Sequence, residues 1–122
     1  MQTIHEIART FTALLRAGQF AAAGERFWAA DVISIEPADL PGGIRATVSG
    51  MAAVRSKCAA RFGKSRIDEI GIDGPFVTGN QFALFLDLLL TDPASGDGQP
   101  FTEIAVYTVR CGQIAEERYF YV

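Results

Sequence analysis

The residues of this chain best suited to proton transfer are three acids set in apolar surroundings. Asp87 lies within QFALFLDLLL, Glu103 lies within FTEIAVYTVR, and Glu36 is near the end of DVISIEP. A bare carboxylate in an apolar interior is costly, so each acid should be protonated, hydrogen-bonded or directed into a wet cavity. Burial also raises a carboxyl pKa towards working pH, as a general acid or base requires. We therefore predict a cavity in which Glu36 is the base and Glu103 or Asp87 donates a proton or polarises the substrate.

Each of these acids also has a simpler structural interpretation. Glu36 could end a strand in solvent or pair with Arg45, and Asp87 could pair with an arginine or mark a sheet edge. Glu103 could hold Tyr119 through an ordinary carboxyl–phenol hydrogen bond. The residue types alone leave both interpretations open.

Composition narrows the class of protein. The chain has 122 residues, of which 49% are hydrophobic and 20% charged, as expected for one domain over residues 1–122 with a substantial core. The net charge of -3 and the absence of a basic run argue against a nucleic-acid partner. No apolar run approaches the ~20 residues that cross a membrane. The first residues do not resemble a signal peptide, so a cytoplasmic location is expected.

The thiols and the histidine give little support to metal or cofactor chemistry. Cys58 and Cys111 are far apart and have no CxxC partner, which is typical of free thiols in a reducing compartment. His5 lies on a predicted helix near the N-terminus and is interpreted as a solvated residue. We expect no metal site, no cofactor and no histidine-dependent triad.

The spacing of apolar residues predicts helices first and strands afterwards. Helical periodicity covers residues 3–16, 19–29 and 50–63. A short strand over 31–37 follows the second helix, and the loop over 38–50 holds one short extended piece. The later strands are predicted over 66–77, with a break at Gly74-Pro75, and over 81–90, 101–110 and 113–122. This order predicts an α+β fold in which the late strands form an antiparallel meander.

The turn between the last two strands decides which side chains share a face. A three-residue loop over 110–112 pairs Glu103 with Tyr119 and Ala105 with Glu117, so that the odd-numbered residues of both strands lie together. A two-residue turn would instead pair odd with even residues. We favour the longer loop because it groups the tyrosines with the acids.

A leucine face on the central strand suggests an oligomer. Leu84, Leu86, Leu88 and Leu90 alternate with Asp87 and its odd-numbered neighbours. Together with Ile104, Val106, Phe120 and Val122 they would form an apolar surface opposite the acids. Helices can cover one face of the sheet, and a second subunit is the simple cover for the other. A homodimer through the outer sheet face is therefore expected.

The chain resembles the SnoaL-like and ketosteroid-isomerase-like members of the NTF2-like superfamily. The resemblance spans nearly the whole chain and is carried by FTALLRAGQFAAAGERFWAADVISIEP, SGMAAVRSKCAARF, GPFVTGNQFAL and EIAVYTVRCGQIAEERYFYV. It implies a cone-shaped fold, in which three N-terminal helices pack on a curved antiparallel sheet and enclose a pocket. It also implies dimerisation through the outer sheet face. The family includes isomerases, cyclases, dehydratases, hydrolases and binding proteins, so the fold does not fix the function.

Compared residue by residue, the chain has an acid at the position of the family's base but lacks the hydrogen-bond donors of the family's oxyanion hole. Ketosteroid isomerase uses an Asp base with a Tyr and a protonated Asp as oxyanion hole. Glu36 in SIEP matches the position of the base, but Phe11 stands at the place of the Tyr, and the protonated acid falls near Ala105. Ketosteroid isomerisation itself is therefore not expected. The family's cyclases use an acid from the late strands, which Glu103, Asp87 or Glu117 could supply.

These observations lead to three functional hypotheses. The first is a metal-free and cofactor-free isomerase, cyclase or dehydratase acting on a small, largely apolar organic molecule. The second is a pocket that binds such a ligand without catalysis, and the third is an interaction domain whose cone is filled by its own aromatic side chains. In the first two cases the ligand-contacting residues are predicted to be Phe11, Trp28, Phe85, Tyr107, Glu117, Tyr119 and Tyr121, although aromatic residues at such spacing are also common in plain cores.

Overall fold

The computed structural model describes residues 2–122, which form three helices and six strands in one sheet. The helices are α1 Ile4–Arg16, α2 Phe20–Phe27 and α3 Met51–Ala60. The strands are β1 Trp28–Ile35, β2 Thr47–Ser49, β3 Arg66–Thr78, β4 Gln81–Thr91, β5 Gly98–Arg110 and β6 Gln113–Phe120. The predicted order of helices and strands, including the short extended piece that becomes β2, is confirmed.

Helix α1 has both a defined start and a buried stripe. The Thr3 hydroxyl accepts a hydrogen bond from the Glu6 backbone N–H, and the Glu6 carboxylate accepts one from the Thr3 N–H, which together form a capping box. Ile7, Phe11 and Leu15 are buried at helical spacing. This stripe packs on β3 and β4, so α1 forms one wall of the interior.

Helix α2 is shorter than the sequence predicts. It ends at Phe27, and Trp28 is already extended as the first residue of β1, opposite Ile114 of β6. The expectation that the helix continues through Trp28 is wrong. Aromatic spacing on a short helix does not separate a final helical turn from the start of a buried strand.

The sheet has the order β2-β1-β6-β5-β4-β3. All neighbouring pairs are antiparallel except β1 and β6, which run parallel. The expectation of a purely antiparallel sheet is therefore wrong at this pair. Most of the chain separates β1 from β6, so no hairpin turn fixes their relative direction. The three helices cover the face that holds the core.

A tight turn and a bulge set the register of β5 and β6. Cys111 and Gly112 both have positive φ, at 53° and 75°, and form a two-residue turn rather than the predicted three-residue loop. An irregularity follows in which Ala115 has no partner residue on β5. The extra residue restores the pairing of odd with odd residues, so the predicted grouping of tyrosines and acids is confirmed.

The cross-strand partners on that face are displaced by two residues along β5 from the predicted ones. Tyr119 lies opposite Ala105 rather than Glu103, and Glu117 lies opposite Tyr107. The expected Glu103–Tyr119 cross-strand pair is therefore wrong. Glu103 is left free to interact with a helix instead of its neighbouring strand.

The faces of β4 are the reverse of those expected. Leu84, Leu86 and Leu88 are buried in the core, and Leu86 lies opposite Glu103 of β5. Asp87 and Phe85 point to the exposed outer face. The parity of a strand cannot be carried across a long hairpin loop, which is why the leucines were assigned to the wrong side.

No helix within residues 2–122 combines the length and the apolarity needed to span a bilayer.

Gly24 of α2 makes room for the Trp28 indole. A Cβ atom at Gly24 would lie 2.2 Å from a ring carbon of Trp28. We expect Gly24→Ala to lower the free energy of unfolding by about 1–3 kcal/mol, because overpacking outweighs the better helix propensity of alanine. Urea unfolding followed by circular dichroism measures this change.

Gly71→Ala is the matched control, because a Cβ at Gly71 meets its nearest atom at 3.5 Å, an ordinary contact. If the Gly24→Ala variant were as stable as the wild type, the packing of the Trp28 indole would not require the absence of a side chain at position 24.

Candidate active site

A cavity of about 330 Å³ lies between the helices and the sheet. Its apolar walls come from α1, α2, α3 and the sheet, and they include Phe11, Leu15, Phe20, Phe62, Ile67 and Leu86. The lining residues Arg55, Ala59 and Gly63 are exposed and mark the entrance beside α3. A second part of the lining, called the buried end here, has buried side chains with polar groups, namely Trp28, Arg61, Glu103, Tyr107, Glu117 and Tyr119.

Glu103 is bound to Arg61 at the buried end of the cavity. The Arg61 Nη1 atom lies 3.3 Å from Glu103 Oε1, and Nη2 donates to Oε2, so that both carboxylate oxygens are engaged. Burial raises the pKa of Glu103, although the adjacent Arg61 charge opposes this rise. Glu103 therefore combines a cavity position with a carboxyl group that holds its proton more readily than in water.

Glu36 lies behind Arg61 and does not belong to the cavity wall. Its Oε1 atom accepts hydrogen bonds from Arg61 Nε at 3.0 Å and from the Tyr121 hydroxyl at 2.9 Å. Its Oε2 atom lies 3.0 Å from Lys57 Nζ, an ion pair whose geometry is too bent for a good hydrogen bond. The ion partners of Glu36 are thus Lys57 and Arg61, not Arg45. Because Glu36 does not line the cavity, the predicted base has no direct access to a ligand there.

Lys57 is the most unusual residue of this cluster because its side chain is only 1% exposed. Burial lowers the pKa of the Lys57 ammonium, and the Glu36 carboxylate opposes that change. A buried ammonium of this kind persists only with an ion partner. Lys57 therefore holds Glu36 in position, and Glu36 in turn helps to orient Arg61.

Glu117 forms a second centre on the cavity wall. Its Oε1 atom accepts a hydrogen bond from Trp28 Nε1 at 2.7 Å. Its Oε2 atom accepts from the Ser34 hydroxyl at 2.8 Å and from the Tyr119 hydroxyl at 2.7 Å. Ser34 and Glu117 meet because they are direct neighbours in the parallel β1–β6 pair.

Tyr119 connects the Arg61–Glu103 pair with Glu117, because it contacts Arg61 through its ring and Glu117 through its hydroxyl. The Arg61 guanidinium carbon lies 3.7 Å from the centre of the Tyr119 ring, a close cation–π contact. The Tyr107 ring stacks on Phe82 at 4.9 Å and meets Phe11 edge-on at 4.7 Å. Burial raises the pKa of both Tyr107 and Tyr119 well above the usual phenol value, so both phenols stay protonated, and the Tyr119 proton is the one donated to Glu117.

The structure brings together most, but not all, of the residues predicted from the sequence. Six of them line the cavity: Phe11, Trp28, Glu103, Tyr107, Glu117 and Tyr119. Tyr121 contacts Glu36 behind the wall. Phe85 and Asp87 lie on the outer face, so the expectation that they face the cavity is wrong.

Lys57, Arg61 and Ser34 were not predicted, although the sequence contains a signal for each. Lys57 and Arg61 follow Val54 by three and seven residues, which places them on the apolar stripe of α3. Ser34 alternates with Val32 and Glu36 along β1, and all three are buried. A charge on an apolar stripe is easily assigned to solvent, because sequence spacing does not reveal its partner.

The thiols and the potential metal ligands within residues 2–122 do not form a reactive site. Burial raises the pKa of the Cys58 thiol to about 11, which keeps this cavity-lining residue protonated and weakly nucleophilic. Cys111 is exposed on the β5–β6 turn. Within residues 2–122, no group of three or more His, Cys, Asp and Glu side chains is placed to hold a metal ion.

The helices, the sheet order and the interior cavity define an α+β domain of the NTF2-like, or cystatin-like, fold. A model of the SnoaL-like domain matches residues 2–121, and the chain belongs to this family. The predicted fold and family are both confirmed. No functionally curated protein matches the chain.

Three solved structures illustrate the relationship. A protein from Mesorhizobium loti, described both as a proposed SnoaL-like polyketide cyclase and as a carbohydrate phosphatase, is 37% identical with a TM-score of 0.86, over 98% of this chain and 100% of that one. A proposed SnoaL-like polyketide cyclase from Jannaschia sp. is 18% identical, with a TM-score of 0.74 over 98% and 90% of the two chains. A protein of cystatin-like fold from Xanthomonas campestris is 20% identical, with a TM-score of 0.70 over 98% and 90%. The last two show the fold alone.

The buried ion pair gives a direct test of the cluster. We expect Lys57→Met to lower the free energy of unfolding by about 3 kcal/mol, because it leaves Glu36 with one cation instead of two in a dry site. The double variant Lys57→Met/Glu36→Gln should be more stable than the single variant, since it removes both charges of the pair. Urea unfolding measures both changes.

Lys64→Met is the control, because Lys64 is exposed nearby in the chain. A double variant less stable than Lys57→Met would contradict the proposed coupling between Lys57 and Glu36.

Proposed function

We propose that this protein is a cofactor-independent enzyme that transfers protons on a small, largely apolar organic molecule, as in an isomerisation, cyclisation or dehydration. The observation that carries the proposal is the placement of Glu103 and Glu117 at the buried end of an apolar cavity. Its volume of about 330 Å³ is at the lower end of the range typical of ligand sites, about 300–1,000 Å³. The family relationship supports a site of this kind.

Glu103 is the group we assign to proton transfer. It lines the cavity, and burial raises its pKa towards the range in which a carboxyl group both gives and takes a proton. Arg61 holds its oxygens in place and stabilises the charge that appears when the proton leaves. The protonated phenol of Tyr107 lies on the same wall and is suited to donate a hydrogen bond to a developing enolate, whereas the Tyr119 hydroxyl donates to Glu117.

Glu36 takes a positioning role in this proposal rather than that of the base. It anchors Arg61 from the side away from the cavity, and Lys57 balances its charge. Its place at the end of β1 matches the family base, but the acid that faces the cavity is Glu103. The reaction is therefore proposed to depend on Glu103 directly and on Glu36 through Arg61.

A proton-exchange assay tests the chemistry without knowledge of the natural substrate. Aryl β-diketones are incubated with the protein in D₂O, and NMR follows the loss of the acidic C–H signal. Glu103→Gln is expected to slow the protein-catalysed exchange by about 10²–10⁴-fold, because it removes the group that accepts the proton. The rate for the wild type should rise with pH as Glu103 loses its proton, with a midpoint above the ordinary carboxyl pKa.

Asp87→Asn is the control, because Asp87 is a carboxylate on the exposed face of the same sheet. Exchange that continues unchanged in Glu103→Gln would remove Glu103 from the mechanism. Tight binding of the diketone without accelerated exchange in the wild type would favour the binding protein instead.

We also propose that the protein forms a homodimer through the outer face of its sheet. Phe85, Ile104 and Phe120 are direct neighbours across β4, β5 and β6, and all three are exposed. They form an apolar row in the place that was predicted for the leucines. An apolar row on a sheet face is a suitable contact for a second copy of the same face.

Ile104→Lys should convert the dimer to a monomer, because it places two like charges in the apolar centre of the contact. Analytical ultracentrifugation measures the mass of the particle. Ala53→Lys adds the same charge on the exposed side of α3 and should leave the mass unchanged. A monomeric wild type, or a dimer that persists in Ile104→Lys, would rule out this interface.

A further inference from the structure

Four charged side chains line the cavity, and three of them already have an opposite partner. Arg61 is paired with Glu103 at the buried end, and Arg55 is paired with Glu25 at the entrance, through Nη2 at 3.0 Å and through Nε. The fourth, Glu117, has no cation within salt-bridge distance among residues 2–122. The cavity wall therefore carries one carboxylate that has no salt-bridge partner.

The cation behind the wall makes its direct salt bridge with a different acid. Lys57 is the other buried cation, and its 3.0 Å contact is with Glu36. The cluster thus holds three carboxylates, Glu36, Glu103 and Glu117, against the two cations Lys57 and Arg61. Glu117 accepts hydrogen bonds from neutral donors alone, and Lys57 attracts it only from beyond salt-bridge distance while it is paired with Glu36.

The surroundings of Glu117 favour a cation in a second way. Aromatic rings occupy much of the same cavity wall, including Phe11, Phe20, Trp28 and Phe62. The faces of such rings attract cations, most strongly where water is excluded. A bound anion would find only arginines that are already paired, and it would also meet the negative charge of Glu117.

We infer that the ligand of this cavity carries a positive charge, in the form of a protonated amine on an apolar or aromatic body. The apolar part would occupy the walls and the ammonium would lie near Glu117, so that ligand and protein together complete the charge balance. This inference names the substrate class of the proposed active site and rests on that site being a ligand site. It adds Glu117 as the residue that determines specificity for charge.

Three naphthalene probes of similar shape test the inference by isothermal titration calorimetry at neutral pH and low salt. They are naphthylmethylammonium, naphthylmethanol and naphthoate, which are cationic, neutral and anionic. We expect the cation to bind about tenfold or more tightly than the neutral alcohol, and naphthoate to bind most weakly. The ranking in the wild type is informative even if a variant fails to fold.

Glu117→Gln should abolish the preference for the cation while retaining the neutral probe, because it removes the charge and keeps the shape. Glu116→Gln is the matched control, since Glu116 is the adjacent acid on the other face of β6 and contacts Arg118 at 3.7 Å. Equal binding of cation and alcohol, tighter binding of naphthoate, or an unchanged preference in Glu117→Gln would overturn the inference and leave the proton-transfer proposal standing. Binding of none of the probes would overturn it as well, and the diketone exchange assay would then decide the proposed function separately.

Discussion

The shared guanidinium of Arg61 is the interaction on which the interior of this protein depends. It donates to Glu36 on one side and to Glu103 on the other, and it stacks on the ring of Tyr119. An arginine suits this position because its planar fork can serve two carboxylates and an aromatic face at once. Without it, two buried acids would face each other across a dry space, at a cost that few small domains tolerate.

The position of Arg61 explains why the cavity has a polar and an apolar end. Lys57 in α3 and Arg61, the residue that caps the C-terminal end of α3, lie about one helical turn apart near β1, where Glu36 follows the last residue of the strand. The ion cluster thereby closes the interior on that side. The apolar part of the lining includes phenylalanines and a leucine from α1 and α2.

Two acids on one wall, Glu103 and Glu117, receive different environments from the same fold. Glu103 shares the arginine with Glu36, whereas Glu117 is held by an indole, a hydroxyl and a phenol. The difference arises because Glu117 lies beside Ser34 in the parallel pair of β1 and β6, while Glu103 lies on β5 within reach of α3. Separate environments for neighbouring acids are a common way to divide acid, base and binding roles within one site.

The sequence by itself determined the class of fold, the helix and strand order and the set of odd-numbered residues on β5 and β6 that faces the interior. These properties depend on local periodicity and on turn residues, which neighbouring positions in the chain encode. It also identified Glu103, Glu117, Tyr107 and Tyr119 as residues of the cavity. Tertiary structure decided that Asp87 faces outwards, because its orientation depends on register across a polar hairpin loop that carries no parity signal. It also decided the role of Glu36, because its partners Lys57 and Arg61 come from a helix more than twenty positions away, and no spacing rule links a buried acid to a distant cation.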